Sequence, residues 1–153
     1  MVEKRPARNG LVADAARREP VPVSRIAVDS FARLQVPLVE FNRVLGGGIV
    51  PGSVVLIGGD PGIGKSTLLL QVSSGVSETS GTVLYVSGEE SPQQIKMRAS
   101  RLGVIGDRLF ILSETCVETI LDTVQQLKPA LVVIDSIQTM YLEGIPSAAG
   151  SVT

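Results

Sequence analysis

An α/β fold built around a mainly parallel sheet is what this sequence of 153 residues predicts, and three observations carry the expectation. Short aliphatic runs alternate with helix-patterned segments from Ser53 to Ile134, and a glycine-rich loop joins the first run to the first of those helices. The core must also be aliphatic, because the chain has only three Phe, two Tyr and no Trp. Runs of Val, Ile and Leu without polar alternation suit strands covered on both faces, the usual state of parallel strands. Alternation of strand and helix is the pattern of right-handed crossovers that keep those strands parallel.

Taken in order, residues 1–24 hold Pro6, Pro20 and Pro22 among Arg, Lys, Glu and Ala with no apolar period. They read as a flexible tail or linker ahead of a domain over residues 25–153. Lys4, Arg5 and Arg8 form a small basic cluster there, but acidic residues are interleaved with it, as in a solvated segment. Leu38, Phe41, Val44 and Leu45 recur at helical spacing, and Gly46-Gly47-Gly48 should end that short helix. After the Pro51-Gly52 turn, Ser53-Val54-Val55-Leu56-Ile57 reads as the first strand.

A helix is expected from Ser66 to about Glu78, followed by a strand over Thr82 to Val86. Ser91-Pro92-Gln93-Gln94 then supplies an N-cap, a proline at the first helical position and a capping-box glutamine for a helix ending near Gly103. Leu109 to Leu112 is the third strand candidate. Thr115 and Glu118 have capping-box spacing before Val117, Ile120, Leu121, Val124 and Leu127, and Pro129 should stop that helix ahead of a strand at Leu131 to Ile134.

Fourteen basic and fifteen acidic residues give a formal net charge of −1, so bulk electrostatics propose neither a nucleic-acid nor a membrane partner. A lone Cys116 and the absence of His exclude an internal disulfide and a multi-cysteine or histidine metal site within this sequence. No apolar run approaches the ~18 residues that span a bilayer, and Met-Val-Glu-Lys-Arg-Pro is not the start of a secretory signal. A cytoplasmic protein is the simplest expectation.

The densest chemical signal is Gly59-Asp60-Pro61-Gly62-Ile63-Gly64-Lys65-Ser66, a complete G-x-x-x-x-G-K-[ST] phosphate loop with Thr67 beside it. Glycines let the backbone curl and aim N–H groups at phosphate oxygens, the following helix adds its positive end, and Lys65 brings a cation to the β- and γ-phosphates. Ser66 would ligate Mg²⁺. Leu131-Val132-Val133-Ile134-Asp135 is an aliphatic strand delivering one carboxylate at its C-terminal end, where open α/β sheets bind ligands, so Asp135 would hold Mg²⁺ through its water shell, or hold Ser66. Glu89 and Glu90 follow the strand ending at Val86, in position to orient and deprotonate an attacking water. Alternatively, both simply favour the positive end of the helix that starts at Pro92, although Ser91 already caps it.

Read in order, Val44 to Ser53, Gly58 to Thr67, Tyr85-Val86-Ser87-Gly88-Glu89-Glu90-Ser91 and Val133-Ile134-Asp135-Ser136-Ile137-Gln138-Thr139 resemble the RadA/Sms family of bacterial DNA-repair ATPases. The resemblance implies a RecA-like P-loop ATPase core: a mainly parallel sheet flanked by helices. It implies a hexameric motor that hydrolyses ATP with Mg²⁺, binds single-stranded or branched DNA, promotes branch migration and works beside the recombinase RecA. By the same likeness Gly59 to Thr67 bind ATP and Mg²⁺, Asp135 is the Walker B carboxylate, and Glu89, with Glu90 as runner-up, is the catalytic glutamate alongside Lys65. Tyr141 to Thr153 would begin the first DNA-facing loop.

Family members usually open with a four-cysteine zinc finger and continue into further core strands, a Lys-Asn-Arg-Phe-Gly motif and a Lon-protease-like domain. The expectation is therefore an internal segment, starting after the finger and stopping inside the motor. RecA-like cores insert a later strand between the P-loop strand and the Walker B strand. Without it, Val54 to Ile57 should either face a gap or close up against Leu131 to Ile134, which would leave this segment alone a poor ATPase. Two other readings share the motifs: a clock-type or replicative-helicase-like ATPase, and a nucleotide-binding interaction module without turnover.

Overall fold

The structure is a computed structural model that describes residues 20–25 and 32–144. The chain divides into two units, Met1–Ser30 and Phe31–Thr153. Of the first, only a single turn of 3-10 helix at Val23–Arg25 is described, closed by the Arg25 amide on the Pro22 carbonyl. The rest of the expected tail, with its basic cluster, lies outside the described residues.

In the second unit the order is α1 (Val39–Val44), α2 (Lys65–Thr79), β1 (Val83–Ser87), α3 (Pro92–Arg101), β2 (Leu109–Ser113), α4 (Val117–Leu127) and β3 (Leu131–Asp135). The three strands form one parallel sheet in the order β2-β1-β3. Central β1 is buried along its whole length, which is why it is aliphatic at every position except Tyr85 and Ser87. Register pairs Tyr85 with Val133 and Ser87 with Asp135 on one side, and Ser87 with Ser113 on the other. The α/β class with a parallel sheet flanked by helices is therefore as the alternation predicts.

Alternate side chains of β1 serve opposite faces. Tyr85 packs with Leu70 of α2, Ile95 and Ala99 of α3 and Val133 of β3. Leu84 and Val86 pack with Ile120 of α4 and with Met140 on the other face. Burying an aliphatic side chain of this kind contributes about 1.5–3 kcal/mol, so the crossover helices and the sheet stabilise one another.

Helix α2 is rich in small residues for a reason visible at Gly75. An added Cβ there would lie 2.0 Å from Cδ and 2.6 Å from Cγ of Pro37, the segment that packs across the helix. In an exposed helix, Gly→Ala gains about 0.5–1 kcal/mol, whereas overpacking a filled site costs about 1–3 kcal/mol. Gly75→Ala is therefore expected to destabilise the domain by about 0.5–2 kcal/mol, read as a lowered urea midpoint; a raised midpoint would contradict the packing described.

Two expectations need correction. Val54 to Ile57 is not a strand: it pairs with nothing among the described residues, and Val54 and Leu56 are 97% and 84% exposed. A strand exists only with a partner at about 4.8 Å, and β3 has β1 on one side with no described strand on the other. The segment remains unpaired rather than closing onto β3. The capping box of Thr115 with Glu118 does not form either. Cys116 is the N-cap of α4 with no side-chain cap, and Glu114 Oε1 accepts the Thr115 and Cys116 amides instead, at 2.7 and 3.0 Å. Those amides hold the Glu114 carboxyl below its ordinary range, the Cys116 amide most strongly. Glu118 turns to the Glu143 amide at 3.2 Å.

Candidate nucleotide site

The phosphate-loop sequence does two local things that follow from its residues. Gly62 and Gly64 take left-handed backbone, φ +79° and +102°, a region that side-chain-bearing residues rarely enter. Gly64 is also the N-cap of α2, and with no side chain it leaves the first amides of that helix without a cap. The contrast with α3 is informative. There Ser91 Oγ accepts the Gln94 amide and Gln94 Oε1 accepts the Ser91 amide, so that N-terminus is closed by its own residues, as its sequence predicts. An uncapped N-terminus of a 15-residue helix, behind a glycine loop open to solvent, offers N–H donors and a positive dipole end to an anion.

Lys65 Nζ donates to the Gly59 and Asp60 carbonyls at 2.6 and 2.7 Å, so the ammonium closes over the mouth of the loop. Ser66 and Thr67 follow in the first turn of α2. The loop's own donor set and charge fit the phosphates of a nucleoside polyphosphate, with backbone amides and one ammonium for phosphate oxygens, and the Ser66 hydroxyl is a ligand of the kind a magnesium ion takes.

Asp135 ends β3, half-buried, and the parallel register sets it beside Ser87 at the end of β1. Its Oδ2 accepts a hydrogen bond from the Tyr85 hydroxyl. Burial, and then that carboxylate, push the Tyr85 phenol far above its ordinary value, so it remains a donor. The Asp135–Ser136 peptide is cis.

The turn after β1 is organised by Ser87, whose buried Oγ accepts the Glu89 and Glu90 amides at 3.4 and 3.0 Å. The two carboxylates then diverge. Glu89 Oε1 accepts from Ser136 Oγ at 3.2 Å, next to Asp135, whereas Glu90 pairs with Arg98 Nη2 of α3 at 2.7 Å. Gly88 docks this turn on the segment after β3: its amide donates to the Asp135 carbonyl at 3.2 Å, and a Cβ on it would lie 1.9 Å from Thr139 Oγ1. Thus Glu89, Glu90 and Asp135 are gathered at the C-terminal ends of adjacent strands. A cavity of about 310 Å³ opens beside them, lined by Glu89, Glu90 and Glu114 among others, and the P-loop does not line it.

Sequence reading missed Tyr85, Arg98, Gly88 and Glu114. Gly88 had a signal in its place between strand and glutamates, whereas Arg98 looks like any polar residue of a helix. Tyr141, the start of the proposed DNA-facing loop, pairs with Cys116 through a parallel bridge, and residues 145–153 lie outside the described set. Among the described residues no helix is long and apolar enough to cross a membrane.

A parallel sheet flanked by helices, with a phosphate-loop sequence opening α2, is part of a P-loop fold of the RecA-like kind. The family described as AAA domain matches residues 17–149, and the chain belongs to that family. It is similar to the DNA repair protein RadA of Listeria monocytogenes, 56% identical over 86% of this chain and 29% of that protein. The DNA repair protein RadA of Bacillus subtilis is 52% identical over all of this chain and 34% of its own length, and that of Streptococcus pneumoniae 51% over 90% and 32%. The resemblance stated from the motifs thus holds, with this chain spanning about a third of the length of those relatives.

Proposed function

We propose that this chain is the ATP-binding part of a DNA-repair and recombination motor, in which hydrolysis of ATP drives movement on single-stranded or branched DNA. The observation that carries the reading is the uncapped N-terminus of α2 behind the Gly59 to Lys65 loop, which is built to receive phosphate groups. Support for the repair role is the similarity to proteins named DNA repair protein RadA along most of this sequence.

In the mechanism proposed, backbone N–H groups of the loop from Gly59 to Thr67, Pro61 having none, grip the phosphates and the Lys65 ammonium neutralises charge gathering between β and γ. Bound Mg²⁺, with Ser66 and Asp135 as its protein partners, would supply further charge neutralisation. Glu89 orients a water towards the γ-phosphorus and takes its proton as the new P–O bond forms and the bond to the ADP oxygen breaks. Glu90, committed to Arg98, is the lesser candidate for that task. Branch migration, a homo-hexameric ring, contact with the recombinase RecA and a cytoplasmic location belong to the same proposal.

The test measures nucleotide affinity and hydrolysis separately, with and without single-stranded DNA. Micromolar binding of ATP, with turnover that DNA accelerates, is the expected result. Binding without turnover in the full-length protein would favour an interaction module instead.

A further inference from the structure

Outside the phosphate loop, one chain of polar groups links Asp135 to Glu90 through Tyr85 and Arg98, two residues that have no part in the mechanism above. Tyr85, fully buried in the middle of β1, donates its hydroxyl to Asp135 Oδ2 on the neighbouring strand, 50 residues away in sequence. Arg98 Nη2, from α3, stands 3.5 Å from the same hydroxyl, the outer limit of a hydrogen bond, and 2.7 Å from Glu90 Oε2. The result is a line of contacts Asp135–Tyr85–Arg98–Glu90 that joins the end of β3 to the turn after β1. Its placement is unusual for a purely packing role. The strand positions around Tyr85 are aliphatic, and phenylalanine would fill the same space with no buried hydroxyl to satisfy. Arg98 leaves its buried Nε without a hydrogen-bond partner among the described residues, a desolvation cost that burial alone does not offset.

We propose that Tyr85 is a positioning residue for the Asp135 carboxylate, and that Arg98 holds Tyr85 and the glutamate turn in one register. By engaging one carboxylate oxygen, Tyr85 fixes the rotation of the group, and the other oxygen would be the one available to a magnesium ion or its water when bound. Groups that orient a metal-binding carboxylate in this way are worth about 10–100-fold in metal affinity or activity. The inference rests on the reading of the site as one that hydrolyses ATP with magnesium.

The experiment uses the full-length protein and compares wild type, Tyr85→Phe, Arg98→Lys, Arg98→Met and Lys65→Ala. ADP affinity is measured by calorimetry in EDTA and across a magnesium titration, ATP turnover across the same titration, and thermal unfolding on every variant. Tyr85→Phe should leave ADP affinity in EDTA within about twofold of wild type. It should raise the magnesium concentration at half-effect about tenfold and lower kcat about tenfold, with KM for ATP at saturating magnesium little changed. Arg98→Lys should retain more of the wild-type magnesium response than Arg98→Met. The proposal is overturned if Tyr85→Phe keeps the wild-type magnesium dependence and kcat, or if it only lowers the unfolding temperature. The Lys65→Ala arm separates the two readings: loss of turnover there beside a normal Tyr85→Phe discards the positioning role alone. Undiminished turnover in Lys65→Ala, or a wild type that binds no nucleotide, discards the ATPase reading and this role with it.

Discussion

Replacing Lys65 by alanine is expected to lower ATP turnover on the order of 10³-fold, equivalent to about 4 kcal/mol of transition-state stabilisation. The ammonium is the one full positive charge that the phosphate loop carries, and backbone amides with partial charges cannot replace it where charge builds between the β- and γ-phosphates. Lys65 also bonds the Gly59 and Asp60 carbonyls, so the variant loses a tie across the mouth of the loop as well. That tie lies in solvent and joins an ammonium to neutral acceptors, which limits its worth to about 1 kcal/mol. The larger share of the loss should therefore appear in turnover, with thermal unfolding nearly unchanged. Turnover equal to wild type in a steady-state phosphate-release assay would falsify the phosphate-loop assignment.

Glu89→Gln is expected to slow hydrolysis by about 10²-fold or more, about 2.7 kcal/mol, while nucleotide binding is preserved. Glutamine keeps the side-chain length and an acceptor for Ser136 Oγ, so the turn should remain docked at the end of β3, and what disappears is the charge that draws the proton from water. Glu90→Gln removes a different interaction. It breaks the ion pair with Arg98, whose side chains are 23% and 32% exposed, and a pair so wetted contributes well under the full Coulomb energy, about 1 kcal/mol or less. Its turnover should fall by less than that of Glu89→Gln. A single-turnover experiment with both variants decides the order: if Glu90→Gln shows the larger loss in the chemical step, the roles of the two glutamates are exchanged.

Much of the fold was legible because its signals are local. The capping box of Ser91 with Gln94 closes α3 as its four residues require. The aliphatic runs at Val83, Leu109 and Leu131 become β1, β2 and β3, and the helical spacing before Gly46 gives α1. The same logic failed at Thr115 and Glu118, where the spacing of a capping box was present but a competing carboxylate, Glu114, reached the amides first. It failed again at Val54 to Ile57. Composition measures how well a segment suits a sheet, whereas membership of a sheet depends on a neighbouring backbone that local sequence does not contain.

By itself the sequence determined the glycine loop, the lysine after it, the alternation of strand and helix, and an acidic residue at the end of each strand that matters for the site. Each depends on residues within one turn or one strand, through backbone freedom, capping or side-chain period. Only the tertiary structure decided that Glu89 turns to Ser136 while Glu90 turns to Arg98, and that Tyr85 reaches Asp135. The physical reason is the parallel sheet: a crossover sets β1 beside β3 in a fixed register, and groups some 50 residues apart meet only because of it. That Val54 to Leu56 stay exposed is likewise a tertiary outcome: the segment pairs with no described strand, although the outer edge of β3 carries none, and without a neighbour an aliphatic run is not a strand.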